Sequence, residues 1–293
     1  TGTSVVLVQG ASVGDTVELL VHDIFSVADS VSAKDGGTFS GTIAAAGYSS
    51  STAGTSNYIA GVNAGNSITA GGNFNVTVGD EAGTAITTGD NNTAVGKDAL
   101  KTNITGSQNV AIGSEALSLN TTNNNTAVGF YALKVNSSGT GNVALGYASL
   151  DANTTGSNNT AVGADALTAN TTGQRLVAVG TTALDANTTG QRSTAVGYAT
   201  LSTNTEGNYN TALGDIALQY NTTGDYNTGI GMGALEANTT GDNNTAVGAE
   251  SLDANTTGHS NVAVGKSALT ANTTAANNTA VGNDALLTNT TGA

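Results

Sequence analysis

The chain has 293 residues, of which 40 are glycine, and it lacks proline, cysteine and tryptophan. Only 10% of its residues are charged, which is too few for a typical disordered tail, and 4% are aromatic, which is too few for an ordinary globular core. The net charge of −14 argues against nucleic acid as a partner, and no apolar run approaches the length needed for membrane insertion.

The first predicted elements lie in residues 1–46 and form a small β module. Thr3–Val8 and Thr16–Val21 have the composition of strands, and the Gly-Asp pair between them is typical of a turn. Two strands are usually too few to be stable alone, so we expect the module to begin before residue 1. Residues 47–78, which include a Gly/Ser/Ala-rich stretch, are predicted to be a connector with the first irregular turns.

A seventeen-residue repeat, N-T-A-V-G-x-x-A-L-x-x-N-T-T-G-x-x, occupies residues 79–293. One step is shorter because a residue is missing within Asn120–Asn125, and a looser turn at Asn57–Gly61 begins the series. The first glycine of the motif recurs at Gly79, Gly96, Gly113, Gly129, Gly146, Gly163, Gly180, Gly197, Gly214, Gly231, Gly248, Gly265 and Gly282. Such a period predicts a stack of similar turns.

Each repeat begins with a predicted short strand. Alternation places Thr160 and Val162 on one face of this strand and Ala161 on the other. In the other full copies the Thr and Val positions hold only β-branched or aliphatic residues, which predicts that this face is the core. The Ala position stays small, which indicates that another surface packs closely against it.

The second half of each full repeat carries a leucine, such as Leu167, directly after an alanine. Adjacent Ala and Leu do not fit strand alternation, and they favour a short helical or 3₁₀ turn with Asn170 as its left-handed cap. The Thr-Thr-Gly that follows is typical of a turn. Val162, Leu167 and Ala161 are therefore the predicted structural core.

Turns this short cannot bury their apolar side alone, so the sequence predicts a mostly β solenoid of about thirteen stacked repeats. At the usual spacing of about 4.8 Å the rod would be about 60 Å long. Each turn offers few buried aliphatic side chains against the backbone entropy of folding. We therefore expect an intertwined homotrimer, with the Ala face of each chain covered by its partners, in preference to a single-chain solenoid.

The element N-[TV]-A-[VIL]-G-x-x-[AS] resembles the head repeats of trimeric autotransporter adhesins, which stack as left-handed β-rolls in a three-chain rod. Similar arrays occur in bacterial and phage fibre proteins that end in a self-cleaving chaperone domain. Val13–Asp29 and Asp35–Thr42 are similar to a module of phage tail-fibre and appendage proteins. The resemblance implies a homotrimer located in a virion appendage or outside the cell.

No catalytic motif is present, and we predict neither an enzyme nor a cofactor. The two histidines, His22 and His259, lie at opposite ends of the chain. Carboxylates recur two residues after the glycine or one after the leucine, and a solvated face is a better interpretation of them than a Ca²⁺ site. They are Asp98, Glu115, Asp165, Glu250 and Asp284 in the first position and Asp151, Asp185, Glu236 and Asp253 in the second.

Two groups of side chains are candidate binding residues. Arg175 and Arg192 share one position in successive repeats, where they could bind an anion or simply balance local charge. Tyrosines cluster within three repeats and could stack on sugars or seal the edge of the core. These candidates for glycan binding are Tyr198, Tyr209, Tyr220 and Tyr226.

The predicted function is a structural fibre shaft, of a phage tail fibre or a similar virion appendage, that supports attachment to a host-surface glycan or protein. A bacterial surface adhesin or an extracellular filament is the alternative. Ranks of threonine suggest an ice-binding solenoid as a third, although Thr171 and Thr172 are adjacent and should point apart. Because the array stops in mid-repeat at Ala293, we expect the gene to continue with further repeats or a trimerising domain.

Overall fold

The computed structural model describes residues 54–291, so the predicted β module of residues 1–46 lies outside the described residues. The described chain forms one sheet of fourteen parallel three-residue strands, paired strictly in sequence order. The strands are β1 Tyr58–Ala60, β2 Val76–Val78, β3 Thr93–Val95, β4 Val110–Ile112, β5 Thr126–Val128, β6 Val143–Leu145, β7 Thr160–Val162, β8 Val177–Val179, β9 Thr194–Val196, β10 Thr211–Leu213, β11 Thr228–Ile230, β12 Thr245–Val247, β13 Val262–Val264 and β14 Thr279–Val281. The predicted all-β solenoid of about thirteen turns is confirmed.

Every strand pairs in register with the equivalent residues of the next turn. Most steps are seventeen residues, as between Thr160 and Val177. The step from Val110 to Thr126 is one residue shorter, where the sequence lacks a residue. The regular array also begins earlier than residue 79, because the predicted looser turn contains β1, and β1 already pairs with β2.

The strands turn the opposite face inward from the one that we predicted. Ala161 is fully buried, whereas Thr160 and Val162 are only partly buried and lie on the outward face. The same alternation recurs along the sheet, with the central residue of every strand buried. Val162 is therefore not a core residue, and the Ala face is covered by the chain's own turns. The argument that the Ala face needs a partner chain is thus wrong.

The segment after each strand is a run of turns, and residues 54–291 contain no helix. The predicted helical or 3₁₀ turn is wrong because left-handed residues interrupt it: Asp165 has φ 56° and Leu167 has φ 55°. A left-handed leucine costs about 1–2 kcal/mol. Full burial of its side chain inside the turn offsets that cost, and the prediction that Leu167 is a core residue is confirmed.

Glycine follows each strand because no other residue fits there. Gly163 has φ 141°, and a Cβ on it would lie 2.4 Å from the carbonyl oxygen of Gly180 in the next turn. Both the backbone conformation and the close approach of successive turns exclude a side chain. The recurring glycine is therefore a requirement of stacking rather than of a ligand site.

Two internal ladders of asparagine satisfy the backbone at the remaining corner. The backbone N–H of Asn159 donates to Asn142 Oδ1 at 3.0 Å, and its Nδ2 donates to the Gly173 carbonyl at 2.9 Å. In the second ladder Asn170 Nδ2 donates to Asn153 Oδ1 at 2.8 Å and to the same Gly173 carbonyl at 3.2 Å. Asn170 is not left-handed, so its predicted role as a cap is replaced by this buried hydrogen-bonding role.

The two threonines of the corner differ. Thr171 is half-buried, and its Oγ1 donates to the Thr188 carbonyl of the next turn at 3.0 Å. Thr172 is exposed. The interpretation of Asn-Thr-Thr as stacked turn chemistry is thereby confirmed, and the corner presents only one outward rank of threonine.

Candidate functional site

The outward face of the sheet, hereafter the strand face, consists of the first and third residues of β1–β14. None of these positions carries a charge. From β2 to β14 the third residue is always Val, Ile or Leu. These side chains remain accessible, since Leu145 is 46% exposed and Leu213 is 48% exposed. The outward positions of a solvent-facing strand are normally polar. An uncharged strip in which every second outward residue is aliphatic is therefore unusual for a surface.

One border of the strand face, the leading edge, is formed by the residue two positions before each strand. All of these residues are exposed, and all have a positive φ, such as 57° at Tyr209. Asparagine and glycine, which tolerate this conformation, fill several turns. Arginine and tyrosine occupy it in four consecutive turns, at Arg175, Arg192, Tyr209 and Tyr226.

The structure thereby joins the two predicted groups of binding residues into a single column. The rings of Tyr209 and Tyr226 stack with centroids 4.7 Å apart and planes inclined by 7°. The Arg192 guanidinium lies over the Tyr209 ring, 5.1 Å from its centroid, and donates a hydrogen bond to the Tyr209 hydroxyl. The faces of the two rings are therefore turned along the rod towards each other.

The other two predicted tyrosines lie elsewhere. Tyr198 is exposed on the opposite border of the strand face, and Tyr220 is exposed in the turn segment after β10. Within this set of four, the stacked pair is Tyr209 and Tyr226. A flat platform for a sugar ring, which needs an accessible ring face, is not built from all four tyrosines together.

The opposite border, the trailing edge, is formed by the residue two positions after each strand. It carries a second aromatic group that the sequence analysis missed. Phe130 stacks on Tyr147 of the next turn, with centroids 5.9 Å apart, and on the adjacent Tyr131, at 3.8 Å. Phe130, Tyr147 and Tyr198 share one repeat position, and an inspection of that column would have revealed them.

Charged side chains form pairs in the N-terminal turns. Lys101 Nζ lies 2.6 Å from Glu81 Oε2 and 2.9 Å from Asp98 Oδ1, and these hydrogen bonds raise the pKa of Lys101. Lys134 Nζ lies 2.8 Å from Glu115 Oε2 and 3.9 Å from the centre of the Tyr131 ring. Their exposure limits such pairs to small contributions to stability.

Among the described residues, the carboxylates that follow the leucine form no comparable ion pair, although the Lys134 ammonium lowers the pKa of Asp151. Burial raises the pKa of Asp185, backbone hydrogen bonds from Asp185 and Ala186 partly offset this rise, and the carboxylate of Asp165 adds a smaller rise. Burial also raises the pKa values of Asp151, Glu236 and Asp253. The members of this column are only partly exposed, so it is less solvated than the predicted solvated face implies.

No metal-binding cluster is found within residues 54–291. That part of the chain contains no group of three or more His, Cys, Asp or Glu side chains able to hold a metal ion. His259 is exposed, and His22 lies outside the described residues. Over the same range no helix is long and apolar enough to cross a membrane.

The fold and the surface together define the class of protein: a parallel β-solenoid whose turns are each closed by one chain, with an uncharged strand face between two edges that carry aromatic side chains. No family model matches the chain, and no curated protein or solved structure does.

Proposed function

We propose that this chain is the shaft of a fibre, of a phage tail fibre or a similar virion appendage, assembled from three parallel copies and supporting host attachment. The rod-like solenoid is suited to such a role because every turn contacts only its neighbours and the length can extend by repetition. Localisation in a virion appendage or outside the cell follows from the same proposal.

The uncharged strand face is the observation that carries the proposal. It replaces the Ala face as the surface that a second copy would cover. Thirteen successive turns keep an aliphatic residue at its third strand position. The buried Ala and Leu positions explain the interior of each turn, but they require nothing of this outward column. Burial of these side chains between copies would account for their uniform character.

Three copies suit the width of the face. The leading-edge and trailing-edge residues of one turn are six positions apart, so the face is at most about 20 Å wide, and turns at both ends of the three-residue strand make it narrower. Three such faces turned inward form a triangular prism whose faces lie at most about 6 Å from the axis. Valine, threonine and leucine side chains can fill that space from three directions.

Light scattering of the full chain tests the assembly. We expect a trimer, and we expect Val179→Lys on the strand face to give a folded monomer, because three ammonium groups would face one apolar interior. Thr172→Lys, at the exposed corner, is the matched control and should leave the trimer intact. Wild-type chain that stays monomeric at micromolar concentration would overturn the three-chain proposal.

Two other functions remain as alternatives with distinct outcomes. Antibody-labelled electron microscopy of the native source would place the rods on virions for the proposed shaft, and on cells or in free filaments for a bacterial adhesin or extracellular filament. An ice-binding role is favoured only by the regular ranks of Thr and Val on the strand face. Thermal hysteresis in the folded wild-type chain would support it, and its absence would leave the shaft proposal in place.

We propose that the Arg and Tyr residues of the leading edge have a structural role in the rod rather than a role in ligand binding. Binding of a host-surface glycan would require an open ring face, and the stacked pair turns its faces along the rod. Glycan-array binding that is lost in Tyr226→Ala, with the oligomer unchanged, would support a receptor role for this column instead.

A further inference from the structure

We propose that the two edges of the strand face meet at the corners of the three-chain rod, so that the leading edge of each chain packs on the trailing edge of its neighbour in the same turn. The inference rests on the proposed three-chain shaft and adds to it the side chains that align the copies. Three consecutive turns carry most of the argument. Their leading-edge and trailing-edge residues are Arg192 with Tyr198, Tyr209 with Asp215, and Tyr226 with Met232.

These pairs cannot form within one chain. Tyr209 and Asp215 flank the same strand, β10, on opposite borders of the strand face. A three-fold rotation about an axis in front of the strand face brings the leading edge of one copy beside the trailing edge of the next. Because a closed parallel trimer keeps identical residues at one height, each residue of the leading edge meets the trailing edge of its own turn.

The chemistry of the three pairs is complementary. Arg192 would place its guanidinium beside the Tyr198 ring of the neighbouring copy, a favourable cation–aromatic contact. The Tyr209 hydroxyl would face the Asp215 carboxylate, whose Oδ1 is held in place by the backbone N–H of Tyr198 at 3.3 Å. The Tyr226 ring would pack on the Met232 thioether.

The remaining turns are compatible with the same contact. Gly141, with no side chain, stands opposite the large Tyr147, and the small Ser260 stands opposite Lys266. No turn places two like charges on its two edges. The leading edge carries its only charges, Arg175 and Arg192, in turns whose trailing edge lacks a cation. The contact of the two edges within one turn therefore brings no like charges together in any turn.

Cysteine cross-linking tests the pairing directly, since the chain has no cysteine of its own. In the double variant Tyr209→Cys/Asp215→Cys, mild oxidation should produce a covalent trimer on a denaturing gel, because each corner closes one disulfide. Both positions are exposed, so the fold should tolerate the change. Tyr226→Cys/Met232→Cys repeats the measurement one turn further along.

The matched control is Tyr209→Cys/Ala249→Cys, which separates the two thiols by two turns, or about 10 Å along the rod. It should give less than one-tenth of the covalent trimer, because a disulfide needs Cα atoms within about 7 Å. Each single-cysteine variant should remain unlinked. Efficient linkage of Tyr209→Cys/Met232→Cys without linkage of the same-turn pair would overturn the proposed register.

Light scattering before oxidation distinguishes a failure of the edge pairing from a failure of the three-chain assembly. A trimer that fails to cross-link at either same-turn pair would overturn the edge pairing and leave the three-chain shaft intact. A monomer would overturn both. A trimer that cross-links at both same-turn pairs and not at the two-turn control is the result that we expect.

Discussion

The first two turns of the solenoid and the later turns fill the same interior with different residues. In the turn that begins with β7 the inward positions hold Ala161, Leu167 and Asn170. In the turn that begins with β2 the equivalent positions hold Thr77, Gly83 and Ile86, which are also buried. The leucine of the later turns has thus become glycine, while its two neighbours have become larger.

The larger side chains at the two neighbouring positions fill the space that the missing leucine would occupy. A Cβ on Gly83 would lie 2.7 Å from Thr77 Cγ2 and 2.9 Å from Ile86 Cδ1, so these side chains occupy the space that leucine fills elsewhere. The comparison shows that the three inward residues of a turn change together. The exchange also loses hydrogen bonds, because Ile86 cannot join the asparagine ladder and Thr77 Oγ1 is buried without a hydrogen-bond partner.

The largest expected effect comes from replacing only one of the three inward residues in the third turn. Leu100→Gly alone should lower the free energy of unfolding by about 2–4 kcal/mol, because it leaves a cavity. The triple variant Ala94→Thr/Leu100→Gly/Asn103→Ile converts this turn to the composition of its predecessor and should recover at least half of the loss. Urea unfolding midpoints measure both, and a triple variant less stable than Leu100→Gly would contradict the compensation.

Removal of one member of the second asparagine ladder should have a smaller effect. Asn170→Ala leaves Asn153 Oδ1 without its donor and removes one of two donors to the Gly173 carbonyl, so we expect a loss of about 1–3 kcal/mol. Thr172→Ala, on the exposed corner of the same turn, is the control and should cost less than about 0.5 kcal/mol. Equal denaturation midpoints for the two variants would show that the ladder adds little to stability.

The half-buried carboxylates should make the middle turns more stable in mild acid. Folding raises the pKa of Asp185 above its ordinary value of 3.8, so ionisation favours the unfolded chain. This penalty is present at pH 7, and it disappears as the pH falls through the raised pKa towards 3.8. Asp185→Asn should therefore raise the thermal midpoint at pH 7 and have little effect near pH 4.

The exposed Asp80 supplies the control for that measurement. Asp80→Asn should change the midpoint little at either pH. A gain from Asp185→Asn that is the same at pH 4 and pH 7 would exclude ionisation of this carboxylate as the cause.

The smallest expected effect is a gain in the first turns. Thr77→Val removes the buried hydroxyl that has no partner and keeps the shape of the side chain, so it should stabilise the chain by about 1 kcal/mol. The control Thr93→Val, on the strand face, removes an accessible hydroxyl and should be nearly neutral in the monomer. A loss of stability in Thr77→Val would indicate a partner for the hydroxyl, such as an internal water.

Much of the fold could be predicted from the period of the sequence. The recurrence of the glycines located the strands, the short step between Val110 and Thr126, and the stacking of equivalent residues. It also put Arg175 with Arg192, and Tyr209 with Tyr226, at equivalent positions. The union of these four into one column and the aromatic pair at Phe130 and Tyr147 were recoverable from the same alignment of turns, but they were missed.

The sequence by itself determined that Thr160 and Val162 share one side of the strand and Ala161 the other, because side chains alternate in any extended chain. Only the tertiary structure decided which side faces inward. That choice depends on the left-handed residues Asp165 and Leu167, which fold the turn over the Ala side and carry the leucine into the interior. Local propensity does not favour a left-handed leucine, and its burial within stacked turns makes that conformation stable.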